Sequence, residues 1–468
     1  MLNKSLTTSL LASCLVLASF QLAAQPESND AMPDNVPELL VKANDAYNAK
    51  DYIAFRDTLM VLTKMRPHNS EYMYQLVLAH ALLGEKSPAY DLMLRMQRQG
   101  LSYDFTTSDS TLKIRGTEVF DFINDMMMMA GEPVGESEVV FTLPDDVAMP
   151  ETISWDESRQ KFLVGTVSEG SILAVGEDGQ VDELLRANEE NGLWSVFDVL
   201  VDQPRKRLWV SSAANQKFSR FDPIDTGRSA LFEFDLETLE LIRRYPVPVD
   251  GSPHALGNMV LGPTGDIYVI DRALPIIYRK SAGEQKLRAI IASSDMVSMR
   301  GAAMRSDGKI MYVADREMGI LVIDFVGQRA VKLSGPVTLN LGGIDGLFLW
   351  ENNLVIIQNG IKPQRVMRLQ LDESGTTVEN IRPLAVAQPV FDYPSFGTVK
   401  GQDLYYFANS QWTAGDDQLK RVTVLRTALN SSEDLAQPDM EKFMEKYLEQ
   451  KGKAEGVQGE HTSPIKDH

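Results

Sequence analysis

The sequence predicts a mainly β fold, a six-bladed β-propeller with an all-α region ahead of it, and three observations lead there. First, between residues 139 and 429 helical spacing is absent, and short apolar, aromatic-rich runs alternate with Asp, Gly, Asn and Pro turns. Second, one unit recurs, its strongest strand reading KFLVGT, RLWVSS, DIYVID, IMYVAD, NLVIIQN and DLYYFAN in turn. With Phe162, Leu208, Ile267, Met311, Leu354 and Leu404 as equivalents, the steps are about 46, 59, 44, 43 and 50 residues. A four-stranded blade takes roughly 40 to 50. The long step holds AANQKFSRFDPIDTGRSA, residues 213–230, which reads as a loop insertion. Third, residues 36–130 carry the other periodicity, with apolar side chains every three to four positions as on amphipathic helices.

Taken in order, residues 1–24 read as a secretory signal peptide: Lys4 supplies the positive charge, residues 10–20 a short apolar core, and Leu22, Ala23 and Ala24 the small residues before a cut near Gln25. The expected location is therefore a bacterial periplasm or the exterior. Leu11 to Cys14, LASC, also fits a bacterial lipobox, and lipidation of Cys14 is the one route to a membrane that the sequence offers. Cys14 is the only cysteine, so a chain cut after it has no thiol chemistry. Residues 25–35, polar and holding Pro26 and Pro33, form a linker. The formal net charge of −19 is spread along the chain and argues against nucleic acid as a partner.

The helical region runs over residues 36–130. Leu39, Leu40, Ala43, Ala46 and Tyr47 share one face of a first helix; Phe55, Leu59 and Leu62 share one face of a second, which Pro67 ends. Two further helices repeat the pattern, Ala79 falling about 36 residues after Ala43, and another is expected over residues 117–128. Paired helices with small residues on the first and a proline after the second resemble tetratricopeptide repeats, of nominal period ~34 residues. That resemblance implies a groove for a protein or peptide; the other reading is a helical cap or spacer. The run Met126 to Met129 cannot chelate as a unit, because adjacent helical side chains diverge. After the propeller, residues 430–468 comprise a charged helix over 440–448 and a tail too polar to fold alone.

In a propeller the inner strands converge on a central channel, so a site there is built from residues that open each inner strand. These are Glu151, Asp198, Gly257 with Asn258, Arg300 with Gly301, Asp345 with Gly346, and Pro394 with Ser395. The segments MPETISWDESRQKFLVG, GNMVLGPTGDIYVID, RGAAMRSDGKIMYVAD and IDGLFLWENNLVIIQN resemble the first, third, fourth and fifth blades of the senescence-marker/gluconolactonase family of six-bladed propellers. The resemblance implies a divalent cation, often calcium, held in the channel by a first-blade Glu, a fourth-blade Asn and a fifth-blade Asp. A third-blade Asn helps to hold the substrate, and the reaction is lactone or ester hydrolysis. Carried over, Glu151 and Asp345 stand at two ligand positions. The fourth-blade Asn is replaced by Arg300, and the third-blade Asn by Gly257, with Asn258 one place later.

An arginine has no acceptor for a cation and stays charged. Two readings are open. Either the Arg300 guanidinium replaces the cation, with Glu151 and Asp345 as its counter-ions, or Arg300 points to solvent and the carboxylates cap turns. Retention of calcium despite Arg300 is a third. His254, in GSPHALGN before the third inner strand, is the one histidine near the channel and a candidate general base, with a packing role as the alternative. No nucleophile elbow, zinc-protease motif, P-loop or dinucleotide fingerprint is present.

The sequence thus predicts an exported binding propeller that holds a small ligand at Arg300, with Asn258, Asp198 and Ser395 around it and no cofactor. The helical region offers a surface for a protein partner. The alternative is a metal-dependent lactonase or esterase using Glu151, Asp345 and His254, with calcium or another divalent cation on the two carboxylates. The sequence does not decide whether the protein is an enzyme.

Overall fold

The computed structural model describes residues 35–412 and 419–431. The expected leader with Cys14, almost all of the linker, and the helix and tail of the C-terminal segment lie outside the described residues.

Five helices come first: α1 (Val36–Asn48), α2 (Tyr52–Met65), α3 (Ser70–Leu83), α4 (Lys86–Arg98) and α5 (Glu118–Met129). Their ends follow local chemistry. The side chains of Asp51, Asn69 and Thr117 accept the backbone N–H of Ala54, Tyr72 and Phe120, capping α2, α3 and α5. Gly84 stops α3 in the left-handed conformation, φ 77°. Successive helices pack on one another. Phe55, Leu59, Leu62 and Leu76 fill one core, and Met73, Met93, Phe105 and Phe120 a second. The methionine run behaves as helical geometry requires: Met126 and Met127 are buried and Met128 is exposed.

Six antiparallel sheets follow, and in blades 1 to 4 the innermost strand comes first in sequence. Blade 1 is β3 (Pro150–Asp156), β4 (Lys161–Thr166), β5 (Ser171–Val175) and β6 (Val181–Arg186); blade 2 is β7 (Ser195–Asp202), β8 (Arg207–Ala213), β9 (Ser229–Asp235) and β10 (Leu241–Pro246). Blade 3 is β11 (Leu256–Leu261), β12 (Ile267–Asp271), β13 (Ile276–Lys280) and β14 (Leu287–Ala292); blade 4 is β15 (Met299–Met304), β16 (Ile310–Asp315), β17 (Gly319–Asp324) and β18 (Arg329–Lys332). Blade 5 is β19 (Ile344–Trp350), β20 (Asn353–Gln358), β21 (Arg365–Leu371) and β22 (Val378–Val386), extended at its outer edge by β1 (Val134–Gly135). Blade 6 is β23 (Ser395–Lys400), β24 (Asp403–Phe407), β25 (Thr423–Ala428) and, from earlier in the chain, β2 (Glu138–Thr142). Of the expected insertion at residues 213–230, residues 214–228 form the β8–β9 loop and the ends belong to the two strands.

Each inner strand packs against the next, from β3 through β7, β11, β15 and β19 to β23 and back to β3, so the ring is closed. The cores lie between blades rather than within them: Phe162, Tyr405 and Phe407 between blades 6 and 1, for example, and Tyr312, Leu347 and Leu354 between blades 4 and 5. Because β2 comes from before blade 1 and pairs with β25 of blade 6, it ties the two ends of the ring together.

Candidate functional site in the central channel

All six inner strands break register near their first residues. One residue is left out of the ladder at Glu151, Phe197, Arg300, Asp345 and Phe396, and the same slip in blade 3 falls at Gly257 and Asn258. A β-bulge re-aims the unpaired side chain. Repeated six times around a ring, it turns one residue per blade toward the axis.

The bulge residues gather. Glu151 accepts from the Arg272 guanidinium and from the Trp412 indole. Asp345 accepts from Arg316 at 3.0 Å and from the Asn359 amide at 3.1 Å, and Arg316 also reaches Asn359 at 2.8 Å. Phe197 stacks on Trp412 with ring centroids 6.4 Å apart, and the Arg272 guanidinium lies 5.1 Å from the Phe197 centroid and 5.8 Å from that of Phe396. Gly257 makes room for this arrangement: a Cβ there would lie 2.5 Å from Cδ of Arg272. The arginine stem thus occupies the space that a third-blade side chain would fill.

Among the described residues Arg300 has no hydrogen-bonded side-chain partner. Its nearest carboxylate among the described residues is Asp345, with Nε 3.9 Å from Oδ1, beyond hydrogen-bond reach. Protein encloses it, yet 21% of its side-chain surface stays accessible, as expected of a group facing a cavity. Burial first, then the Arg272 charge, pushes its pKa down to about 10, so it remains a cation at neutral pH. Burial pushes the Glu151 carboxyl up, against the pull of Arg272 and the Trp412 hydrogen bond.

The structure brings Glu151, Asp345 and Arg300 together and places the other predicted residues differently. Asp198, one position past the bulge, ties blades together: it accepts from Thr152 Oγ1 at 2.6 Å, from the amide of Asn258 at 3.2 Å and from the Met259 N–H at 2.7 Å. Its burial lifts the carboxyl to about 6. Asn258 continues the chain, its Oδ1 accepting the Ala302 N–H at 2.8 Å. Ser395 is buried beside the bulge that presents Phe396. His254 has both ring nitrogens engaged, Nδ1 with Asp271 at 2.7 Å and Nε2 with Asp250 at 3.1 Å, and its ring meets Tyr278 edge-on. None of these contacts is a member of the arginine–carboxylate cluster.

Sequence reasoning missed Arg272, Arg316, Asn359, Phe197, Phe396 and Trp412. Two of them carried a signal. The second strands of blades 3 and 4 both end in Asp with Arg as the next residue, in VIDR and VADR. In each pair the aspartate staples a loop: Asp271 accepts the N–H of Ala255 and Ala273, and Asp315 those of Val297 and Ser298. The arginine then turns into the channel.

The donor set does not fit the divalent cation that the resemblance implies. Glu151 and Asp345 each already bind a guanidinium, and the third ligand position offers a cation with no lone pair to give. Among the described residues no three His, Cys, Asp or Glu side chains form a metal-holding group.

No family model matches this chain, and no curated protein matches it. Among solved structures it is similar to a gluconolactonase from Xanthomonas campestris, at 15% identity over 61% of this chain and 88% of that one, TM-score 0.42. It is similar also to regucalcin, a calcium-binding protein from Agrobacterium tumefaciens, at 12% identity over 63% and 95%, TM-score 0.45. A third is virginiamycin B lyase from Staphylococcus aureus, at 12% identity over 64% and 100%, TM-score 0.41. Likeness at this level carries no ligand or reaction across. By its own strand pairing the chain is a six-bladed β-propeller, similar in build to gluconolactonase, regucalcin and related propellers, with five α-helices ahead of it among the described residues.

Proposed function

We propose that this protein is an exported binding propeller whose channel takes a small anionic ligand on Arg300, without a metal, and whose helical region serves a protein or peptide partner. One observation carries the channel reading. Both carboxylates of the cluster are hydrogen-bonded to arginines of their own, Glu151 to Arg272 and Asp345 to Arg316, which leaves the Arg300 guanidinium, 3.9 Å from Asp345, without a hydrogen-bonded carboxylate among the described residues. A buried cation without a hydrogen-bonded partner is costly, and a carboxylate or phosphate entering the channel would supply one, two N–H groups to two oxygens. The aromatic rings of Phe197, Phe396 and Trp412 offer apolar surface to the body of the same ligand. The export reading rests on the leader-like residues 1–24, and the partner reading on the repeat-like helices.

Calorimetric titration with acetate, benzoate, succinate and inorganic phosphate tests this. At least one should bind one-to-one, and Arg300→Gln should weaken it roughly 10- to 100-fold, the scale of a charged hydrogen bond worth about 1.5–3 kcal/mol. The same variant should melt no lower than the native protein, since among the described residues the guanidinium it removes has no hydrogen-bonded side-chain partner to lose. Equal affinity in both proteins sinks the proposal. Tight one-to-one calcium binding that Asp345→Ala abolishes, together with lactone turnover, would restore the hydrolase reading.

A further inference from the structure

The helical region docks on the loops that carry the arginine–carboxylate cluster, and the connection can be followed atom by atom. At the end of α2, Arg66 pairs with Glu317 at 2.7 Å, and Glu317 is the neighbour of Arg316. Two residues on, His68 Nδ1 accepts the Leu341 N–H at 3.3 Å, and its backbone lies against Gly342, where a Cβ would come within 2.0 Å of the His68 carbonyl oxygen. Gly343, the next residue, donates its N–H to the Arg316 carbonyl at 2.7 Å, and its own carbonyl accepts from Asn359 and Gly360, both at 3.1 Å. Arg316 and Asn359 are the two side chains that hold Asp345. One corner of the helical region therefore bears on both groups that hold Asp345: on Arg316 through Glu317, and on Asn359 through Gly342 and Gly343.

We propose that this corner, Arg66 with His68, is a positioning element of the channel, so that the helical region sets the anion affinity of Arg300. The proposal rests on the reading of the channel as an anion site. If the Glu317 loop loosens, Arg316 releases Asp345. That carboxylate is already 3.9 Å from Arg300 and closes on it, and a carboxylate attached to the protein then competes with the ligand. Burial, with Lys332 and Arg95 nearby, holds the His68 pKa down to about 4, which keeps the ring neutral and its Nδ1 free to accept.

Two measurements on the full chain test the idea. In the first, hydrogen exchange is followed without ligand. Arg66→Ala and, separately, Gly342→Ala should speed exchange of the Gly343, Asn359 and Gly360 amides about tenfold and leave blades 1 and 2 unchanged. No change at those amides in either variant overturns the proposal whatever the channel binds. In the second, benzoate affinity should fall about tenfold in Arg66→Ala and recover in Arg66→Lys. Faster exchange with unaltered affinity also overturns it. Absence of benzoate, acetate, succinate and phosphate binding in the native protein would instead defeat the anion-site reading, and the exchange measurement would then decide by itself whether the corner holds the channel loops.

Discussion

Two histidines show how residue-scale environment sets opposite pH behaviour. The His254 ring nitrogens hydrogen-bond to the Asp271 and Asp250 carboxylates, which accept, with Tyr278 alongside, and the Asp271 contact raises its pKa. The stability it adds is complete below the ordinary imidazole value of about 6.5 and is lost as pH rises through the raised value. His68, buried beside Lys332 and Arg95, is shifted the other way, to about 4. What its neutral form contributes is present above about 6.5 and is lost as pH falls toward the folded value. Chemical denaturation should therefore show His254→Gln costing more at pH 5.5 than at pH 8. His68→Gln should be penalised less at pH 5 than at pH 7.5. The same cost for either variant at both pH values would remove the charge argument and leave packing alone.

At the scale of the element, the shared bulge of the six inner strands makes the site. It lets one strand serve two purposes, since the ladder continues while a single side chain is diverted to the axis. Blade 3 shows the same device used in reverse, with a glycine at the diverted position and an arginine from the neighbouring strand end in its place. Gly257→Ala should displace the Arg272 stem, detach it from Glu151 and destabilise the protein by about 1–3 kcal/mol, as overpacking does. The carboxyl of Glu151, losing its counter-ion, should titrate higher still, and infrared detection of the protonated carboxyl would report it. An unmoved titration would mean that Arg272 has another way around the new methyl group.

At the scale of the whole molecule, stability is shared around a ring. The cores sit between blades, so no blade is complete without its neighbours, and β2 on β25 closes the circuit. Phe141 lies on that closing strand, 5% exposed, in the core between blades 6 and 1. Phe141→Ala should cost about 3–5 kcal/mol. The loss should appear as a shifted midpoint of a single denaturant transition with unchanged slope, because opening the ring exposes both flanking blades together. A separate early transition confined to blade 6 would show instead that the blades unfold one by one. The helical region belongs to the same compact unit as the propeller. It is fastened by Arg66 to Glu317, by the Arg365 guanidinium to the Gln99 carbonyl at 3.0 Å, and by the Ser102 N–H to the Lys362 carbonyl at 2.8 Å.

The sequence by itself determined the two periodicities and hence the two classes of element. It also determined the six repeats, the identity of the second strands, the breaks between helices, and the presence of Glu151, Arg300 and Asp345 at inner-strand starts. All of these are local: a strand alternates and a helix turns within a few residues, so neighbours along the chain betray them. Only the tertiary structure decided which charge meets which. Arg272 reaches Glu151 from 121 residues away and Trp412 reaches it from 261, and in both cases the contact exists because the ring closes. The bulge likewise hid a one-residue difference, which separates Phe197, facing the channel, from Asp198, binding one blade to the next. Alternation alone could not reveal it, because a bulge is where alternation stops.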